Sequence, residues 1–259
     1  MKERPKTLTI AGLDPSSGAG LTADIKTFEA LKCYGLAVCT ANTIQNDIRL
    51  KQCHWVDTSV IKSQIELLYQ QFSIDFVKIG IVQNWDVLDE IIDFLLIQNP
   101  RVKIIVDPVL KSSSEFSFRN SENNKDSKNL LIDTSFDKIL NKIYLLTPNY
   151  NEIKELYSDK SIEETINHIS EQTNVLLKGG HIETAIGKDI LLTKDCKQFT
   201  LNTKIKNTSE KHCSGCVLSS AITAQLALGF NLLKSCYRAK RYTEKVLSSN
   251  ATLLGYHRI

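Results

Sequence analysis

The chain has 259 residues, 42% of them apolar and 24% charged, with a formal charge of +3. That is an ordinary globular composition, large enough to bury a sizeable core, and so mild a charge argues against a nucleic-acid surface while suiting a small anionic ligand. No stretch is long enough to cross a membrane, since the apolar run 91–97 is short and carries Asp93, and the polar start 1–6 reads as no signal peptide. The seven cysteines are odd in number and scattered, which argues against a disulfide framework and for a reducing cytoplasm.

Thr7-Leu8-Thr9-Ile10-Ala11 reads as a buried strand, Gly12 to Gly20 as a turn-rich loop and Leu21 to Leu31 as a helix with Asp24 on its first turns, facing the loop. The loop is neither G-x-G-x-x-G nor followed by G-K-[ST], so dinucleotide and Walker-type phosphate loops are excluded. A strand from Gly35 to Ala41 follows, ending in a turn over Asn42 to Asp47. Ligands of open α/β sheets sit beyond the carboxyl ends of strands, which brings Gly12 and Gln45 together if those strands are neighbours. Gln45 then either pairs with a heterocycle edge or is a surface amide.

Helices are expected over Val60–Phe72 and Trp85–Ile97, with strands over Phe76–Val82 and Val102–Val109. Asp107 ends the second of these strands, where a buried carboxylate needs a partner. Ser112 to Asn129 is Ser- and Asn-rich and breaks both periodicities, as a mobile flap or an insertion does. A strand and turn over Lys142–Asn149, a helix opened by Glu152, a helix over Ile162–Gln172 and, over Asn174–His181, a strand ending in a flexible basic loop come next. Lys188–Leu192 and Phe199–Ile205 read as an antiparallel pair, and the last helix as Leu232–Leu253. Alternating strands and helices without a linker or repeat predict a single α/β domain over 1–259, with a mostly parallel sheet covered on both faces.

The stretch Lys211-His212-Cys213-Ser214-Gly215-Cys216 runs straight into an apolar helix stopped by Gly229. A helix start offers unpaired N–H groups and a positive dipole end, hence an anion site, and lowers the pKa of a thiol in its first turn. Ser214, Gly215 and Cys216 are therefore read as an anion hole with a base beside it; a plain capping turn is the other reading. Cys213 and Cys216 form a C-x-x-C, but the surrounding pattern is not thioredoxin-like and no second ligand pair is spaced for zinc.

The opening block from Thr9 to Phe28, with Gly12-Leu13-Asp14-Pro15-Ser16-Ser17-Gly18-Ala19-Gly20-Leu21-Thr22-Ala23-Asp24 at its centre, resembles that of the hydroxymethylpyrimidine phosphate kinases of thiamin biosynthesis. Further matches follow in order: Gln45-Asn46, Lys78-Ile79-Gly80, Asp107-Pro108-Val109, Thr147-Pro148-Asn149 with Glu152, Lys178-Gly179-Gly180-His181, and Gly215-Cys216 with Leu218-Ser219-Ser220-Ala221. The resemblance implies a ribokinase-like, three-layer α/β/α kinase that moves the ATP γ-phosphoryl group onto 4-amino-5-hydroxymethyl-2-methylpyrimidine and then onto its monophosphate. It implies that Gly12, Asp24, Gln45 and Ile81 line the pyrimidine pocket, and that Lys178, Gly180, Asn149 and Asp107 meet ATP. Asp107 and Glu152 would serve Mg²⁺, Cys216 would be the catalytic base, and a homodimer is implied as well; whether a monovalent cation helps is left open. Three departures stand out: Cys213 in place of the usual glycine, Ser214 for the commoner Thr, and Ile81 where Met is frequent. A side chain at 213 is expected to crowd the anion hole, or to strain it if φ is positive. The rival readings are a pyridoxal or pyridoxine kinase of the same fold and a catalytically weak pyrimidine-binding protein; the absence of a flap cysteine weighs against the first.

Overall fold

A computed structural model describes residues 3–110, 136–157, 159–179, 187–205 and 208–257. The expected flap at 112–129 and the site glycine Gly180 lie outside the described residues.

The strands are β1 (Lys6–Leu13), β2 (Tyr34–Gln45), β3 (Leu50–Trp55), β4 (Phe76–Ile79), β5 (Lys103–Val106), β6 (Leu145–Leu146), β7 (Asn174–Leu177), β8 (Asp189–Leu192) and β9 (Gln198–Leu201). The helices are α1 (Gly20–Ala30), α2 (Thr58–Gln71), α3 (Trp85–Gln98), α4 (Tyr150–Leu156), α5 (Ile162–Ser170), α6 (Ser214–Ala227) and α7 (Leu232–Leu247). All described strands form one sheet in the order β3-β2-β1-β4-β5-β6-β7-β8-β9. The run from β2 to β7 is parallel, and β3, β8 and β9 pair antiparallel at the two ends.

Strand alternation sends successive side chains to opposite faces, and the core divides accordingly. Ile104 and Val106 of β5, Leu146 of β6, and Val175 and Leu177 of β7 pack in one cluster with Ile61, Leu88, Ile91 and Ile153 of α2, α3 and α4. The intervening Ile105, Leu145 and Leu176 pack on the other face with Val217, Ala221 and Ile222 of α6 and Ala239 and Tyr242 of α7. Three layers follow from that alternation. α1 shares the second face, where Phe28 and Ala224 meet.

Local chemistry sets the helix ends. Asn84, Asn149, Ser161 and Asn231 cap α3, α4, α5 and α7 through their side chains, and at α4 and α5 a Glu three residues on completes a capping box. α6 stops in a Schellman arrangement: Gly229, at φ +89°, donates its N–H to Leu226 O, and Phe230 donates to Gln225 O.

The strands β4, β5, β6 and β9 stop short of the ranges read from the sequence, β6 at only Leu145–Leu146, and two further segments differ more. Asn42 to Gln45 is strand rather than turn, because β3, a polar edge strand that periodicity does not reveal, pairs with it from Ala41↔Trp55 to Gln45↔Leu50. The last helix ends at Leu247, where Ser248-Ser249-Asn250 turns the chain back so that Leu253 O accepts the His212 N–H. Among the described residues no helix is long and apolar enough to cross a membrane.

Candidate active site

The sheet order reverses at β1, whose sequence successor β2 lies on one side and β4 on the other. Ligands collect at such a switch point, beyond the carboxyl ends of the strands. Gly12 and Ile81 flank it, and they touch: a Cβ on Gly12 would stand 2.4 Å from Ile81 Cδ1. Along the same edge come Asp107 after β5, Thr147 to Asn149 after β6 and Lys178 after β7. The amides of Gly80, Asp107, Thr147 and Lys178 extend the parallel ladder past the strand ends.

α6 crosses this edge with its N-terminus forward and packs on β1, β4 and β5. Its Cys216 amide donates to Cys213 O at 3.2 Å, so the three donors expected at 214–216 narrow to the first-turn amides of Ser214 and Gly215. Gly215 is pressed against the charged cluster: a Cβ there would lie 3.1 Å from Lys178 Nζ and 3.7 Å from Asp107 Oδ2. A side chain at 215 would push the Lys178 ammonium back by a few tenths of an ångström.

Two lysines lie beneath the helix start, Lys78 buried and Lys178 partly so. Lys178 Nζ donates to Asp107 Oδ1 at 2.8 Å and lies 3.7 Å from Glu152 Oε2. Lys78, in the centre of β4 and wholly buried, donates to Asp24 Oδ2 at 2.9 Å. Burial would drive Lys78 toward its neutral form, but the carboxylate of Asp24 outweighs that and holds it protonated. Burial pushes Asp107 up, and the ammonium groups of Lys178 and Lys78 more than reverse the effect, so it stays a carboxylate. Glu152 goes the other way: burial, with Asp107 adding to it, outweighs Lys178 and carries it to about 7. Two carboxylates thus share one lysine, with negative charge left over. Cys216, 4% exposed, lies with its Sγ 2.8 Å from Cys213 Sγ. The hydrogen bond from Cys213 lowers the Cys216 thiol most; burial opposes this and Lys78 assists it.

Among the described residues, two of the site residues read from the sequence are placed differently from the expectation. Asp24 does not face the loop: its carboxylate is fully buried and accepts from Lys78, from Thr9 Oγ1 and from Ser220 Oγ, the last two at 2.5 Å. Asn149 spends its side-chain oxygen on the Glu152 N–H, and Glu152 Oε2 accepts the Asn149 N–H in return. The pair therefore builds the start of α4 beside Lys178.

Four residues were given no individual role by sequence reasoning. Lys78 interrupts the apolar run Phe76-Val77-Lys78-Ile79, a signal that it needs a buried partner. Ser219 and Ser220 sit in an otherwise apolar helix, and each bonds a buried acid, Asp107 at 3.3 Å and Asp24 at 2.5 Å. Asp14 organises the opening loop. It accepts from the amides of Ser16, Gly18 and Ala19 at 2.8–3.1 Å, and its Oδ2 lies 3.1 Å from His212 Nε2. It thereby ties the loop to the turn before α6. Gln45 closes β2, opposite Leu50 of β3. Burial would raise Asp14, but His212, Ser16 and Gln45 outweigh it and bring it down to about 2.

The fold and the charged sheet edge suit the transfer of an anionic group such as a phosphoryl. Comparison with known proteins narrows this. The family model described as phosphomethylpyrimidine kinase matches residues 14–258. A hydroxymethylpyrimidine/phosphomethylpyrimidine kinase of Haemophilus influenzae is 30% identical over 260 residues, 96% of this chain and 93% of that protein. A thiamine biosynthesis protein of Saccharomyces cerevisiae is also 30% identical over 94% of this chain, which spans only 44% of it. The crystal structure of a phosphomethylpyrimidine kinase from Clostridium difficile superposes with a TM-score of 0.73 at 31% identity, over 93% of this chain and 98% of that one. A pyridoxal kinase of Bacillus subtilis, at TM-score 0.76 and 23% identity over 94% of this chain and 92% of that one, shares the fold. The chain belongs to the phosphomethylpyrimidine kinase family and is a kinase of thiamin biosynthesis.

Two stability measurements check the electrostatic frame. Lys78→Met leaves the Asp24 carboxylate buried without a cation, so the urea midpoint should fall by the equivalent of about 3–5 kcal/mol. Adding Asp24→Leu should recover most of the loss, and a near-neutral single variant would contradict the pairing. For Asp14 the folded pKa lies below the unfolded one, so its stabilisation is present above pH ~4 and lost as pH falls through about 2. It amounts to roughly 2 kcal/mol. Asp14→Asn should remove that portion of the acid dependence; an unchanged acid profile would refute it.

Proposed function

We propose that the protein transfers the γ-phosphoryl group of ATP to the hydroxymethyl oxygen of 4-amino-5-hydroxymethyl-2-methylpyrimidine, and then phosphorylates the resulting monophosphate. The observation that carries this reading is the closeness of Gly215 at the start of α6 to Lys178 and Asp107, with Cys216 in the same turn. Phosphoryl transfer goes through a loose transition state, so catalysis is chiefly positioning and charge stabilisation. The amides of Ser214 and Gly215 and the ammonium of Lys178 meet the charge on the moving group. The Cys216 sulfur accepts the proton of the attacking hydroxymethyl late in the transfer. A thiol held below its usual pKa by the Cys213 hydrogen bond and, against its burial, by Lys78 suits that step.

Gly12, Ile81 and Gln45 line the acceptor pocket, with the Gln45 amide reading the heterocycle edge. Asp24 acts one step back, by holding Lys78 beneath Cys216. Asp107 and Asn149 join Lys178 at the nucleotide. Asp107 and Glu152 fit Mg²⁺ that arrives with ATP. Their shared excess of negative charge calls for a cation, and no cluster of three or more His, Cys, Asp or Glu among the described residues forms a dedicated metal cage. When bound, Mg²⁺ would neutralise charge on the nucleotide phosphates. The resemblance supports a homodimer with one kinase domain per chain, and the free cysteines support a cytoplasmic location.

The test is ADP release with Mg-ATP and four acceptor conditions: the pyrimidine alcohol, its monophosphate, pyridoxal and none. Turnover with the pyrimidine pair is expected. Turnover with pyridoxal alone would move the assignment to that rival, and saturable pyrimidine binding without ADP release would make the protein a binder. Cys216→Ala should lower kcat by about 10²-fold or more with nucleotide binding nearly unchanged; an unchanged rate would remove Cys216 as proton acceptor.

A further inference from the structure

Cys213 is the N-cap of α6 and has φ +54° and ψ +51°, a left-handed conformation in which glycine is the unstrained residue. In this conformation its Sγ lies 2.8 Å from that of Cys216. All seven cysteines are free thiols, and Cys33 and Cys39 by contrast bond backbone carbonyls, Ala224 O and Ala41 O. A bond of ~2.05 Å needs the two sulfurs to approach by less than about 1 Å. Cys213 is half-buried and Cys216 is 4% exposed. Small oxidants can therefore reach the pair, whereas a protein disulfide has little surface to engage. A metal reading lacks ligands, since no third His, Cys, Asp or Glu completes a group with this pair among the described residues.

We propose that Cys213 and Cys216 form a reversible disulfide under hydroperoxide, which shuts off phosphoryl transfer; the loss of activity rests on the reading of Cys216 as proton acceptor. In the first step the Cys216 thiolate attacks one oxygen of hydrogen peroxide. The O–O bond breaks, the departing hydroxide takes a proton to become water, and Cys216 becomes a sulfenic acid. In the second, the Cys213 sulfur attacks the sulfenic sulfur. The S–O bond breaks, and the hydroxide released takes the Cys213 proton to form a second water. Two thiols and one peroxide give one disulfide and two waters, the sulfurs giving up two electrons. A dithiol such as dithiothreitol restores both thiols by two exchange steps. The oxidised protein has no thiolate at the acceptor oxygen. It also ties the N-cap to the first turn that carries the anion-binding amides.

The experiment treats the full chain with hydrogen peroxide, removes the peroxide with catalase, and follows two readouts in parallel. One is peptide mass after alkylation of the remaining thiols. The other is ADP release as a fraction of each variant's own starting rate. Expected are a peptide linking Cys213 to Cys216 that has lost two hydrogens, a fall in turnover of at least tenfold in step with it, and recovery with dithiothreitol. Cys213→Gly has no resolving thiol, so continued peroxide should carry its Cys216 to sulfinic acid, a loss that dithiothreitol does not reverse. Absence of the linked peptide while Cys216 is oxidised, or inactivation of wild type as irreversible as that of Cys213→Gly, would overturn the proposal. A linked peptide with full turnover would establish the disulfide but overturn Cys216 as proton acceptor.

Discussion

The ammonium groups of Lys78 and Lys178, the first buried and the second partly buried under the start of α6, are the constraint on which the rest of the site depends. Each neutralises an acid from another part of the sheet edge, Asp24 from α1 and Asp107 from β5. Each pair is also locked to α6 by a serine, Ser220 to Asp24 and Ser219 to Asp107. Burying such pairs brings little net stability, because desolvation offsets most of the Coulomb gain, while removing one partner is costly. Their value lies in placement. They hold a helix N-terminus, two freed amides and a thiol at fixed positions relative to the carboxyl edge, where a phosphoryl group can be met without reorganisation.

Around this frame the smaller devices become intelligible. Gly215 lets Lys178 sit tightly against the helix start. Asp14 joins the 14–19 loop to His212, so the acceptor side and the anion side of the site are tied together. The left-handed Cys213 is the exception, a strained residue costing roughly 1–2 kcal/mol where glycine would be at ease. What it adds is a second sulfur against the first.

Much of this was legible in the sequence, and the parts that were not share a physical reason. Periodicity placed the strands and helices of the three-layer fold, and strand ends placed Gly12, Asp107 and Lys178 along one edge. It missed β3, since an edge strand with polar side chains carries no apolar alternation, and it ran the last helix past Leu247, because Ser248-Ser249-Asn250 acts through turn chemistry that apolar spacing does not record. The positive φ at Cys213 was foreseeable because a glycine is usual there. Asp24 was misplaced because its role depends on Lys78, some fifty residues away in sequence and adjacent only once β1, β4 and α6 are packed. A lysine inside an apolar strand was the available clue.

The central claim is that the first turn of α6 is where phosphoryl donor and acceptor meet. A crystal structure with the pyrimidine alcohol and a non-hydrolysable ATP analogue tests it most directly. The predicted result has the hydroxymethyl oxygen within hydrogen-bond reach of Cys216 Sγ and the terminal phosphoryl oxygens on the Ser214 and Gly215 amides, with Lys178 alongside. An acceptor seated with its hydroxymethyl group away from Cys216, or a nucleotide whose terminal phosphate misses the helix start, would contradict it.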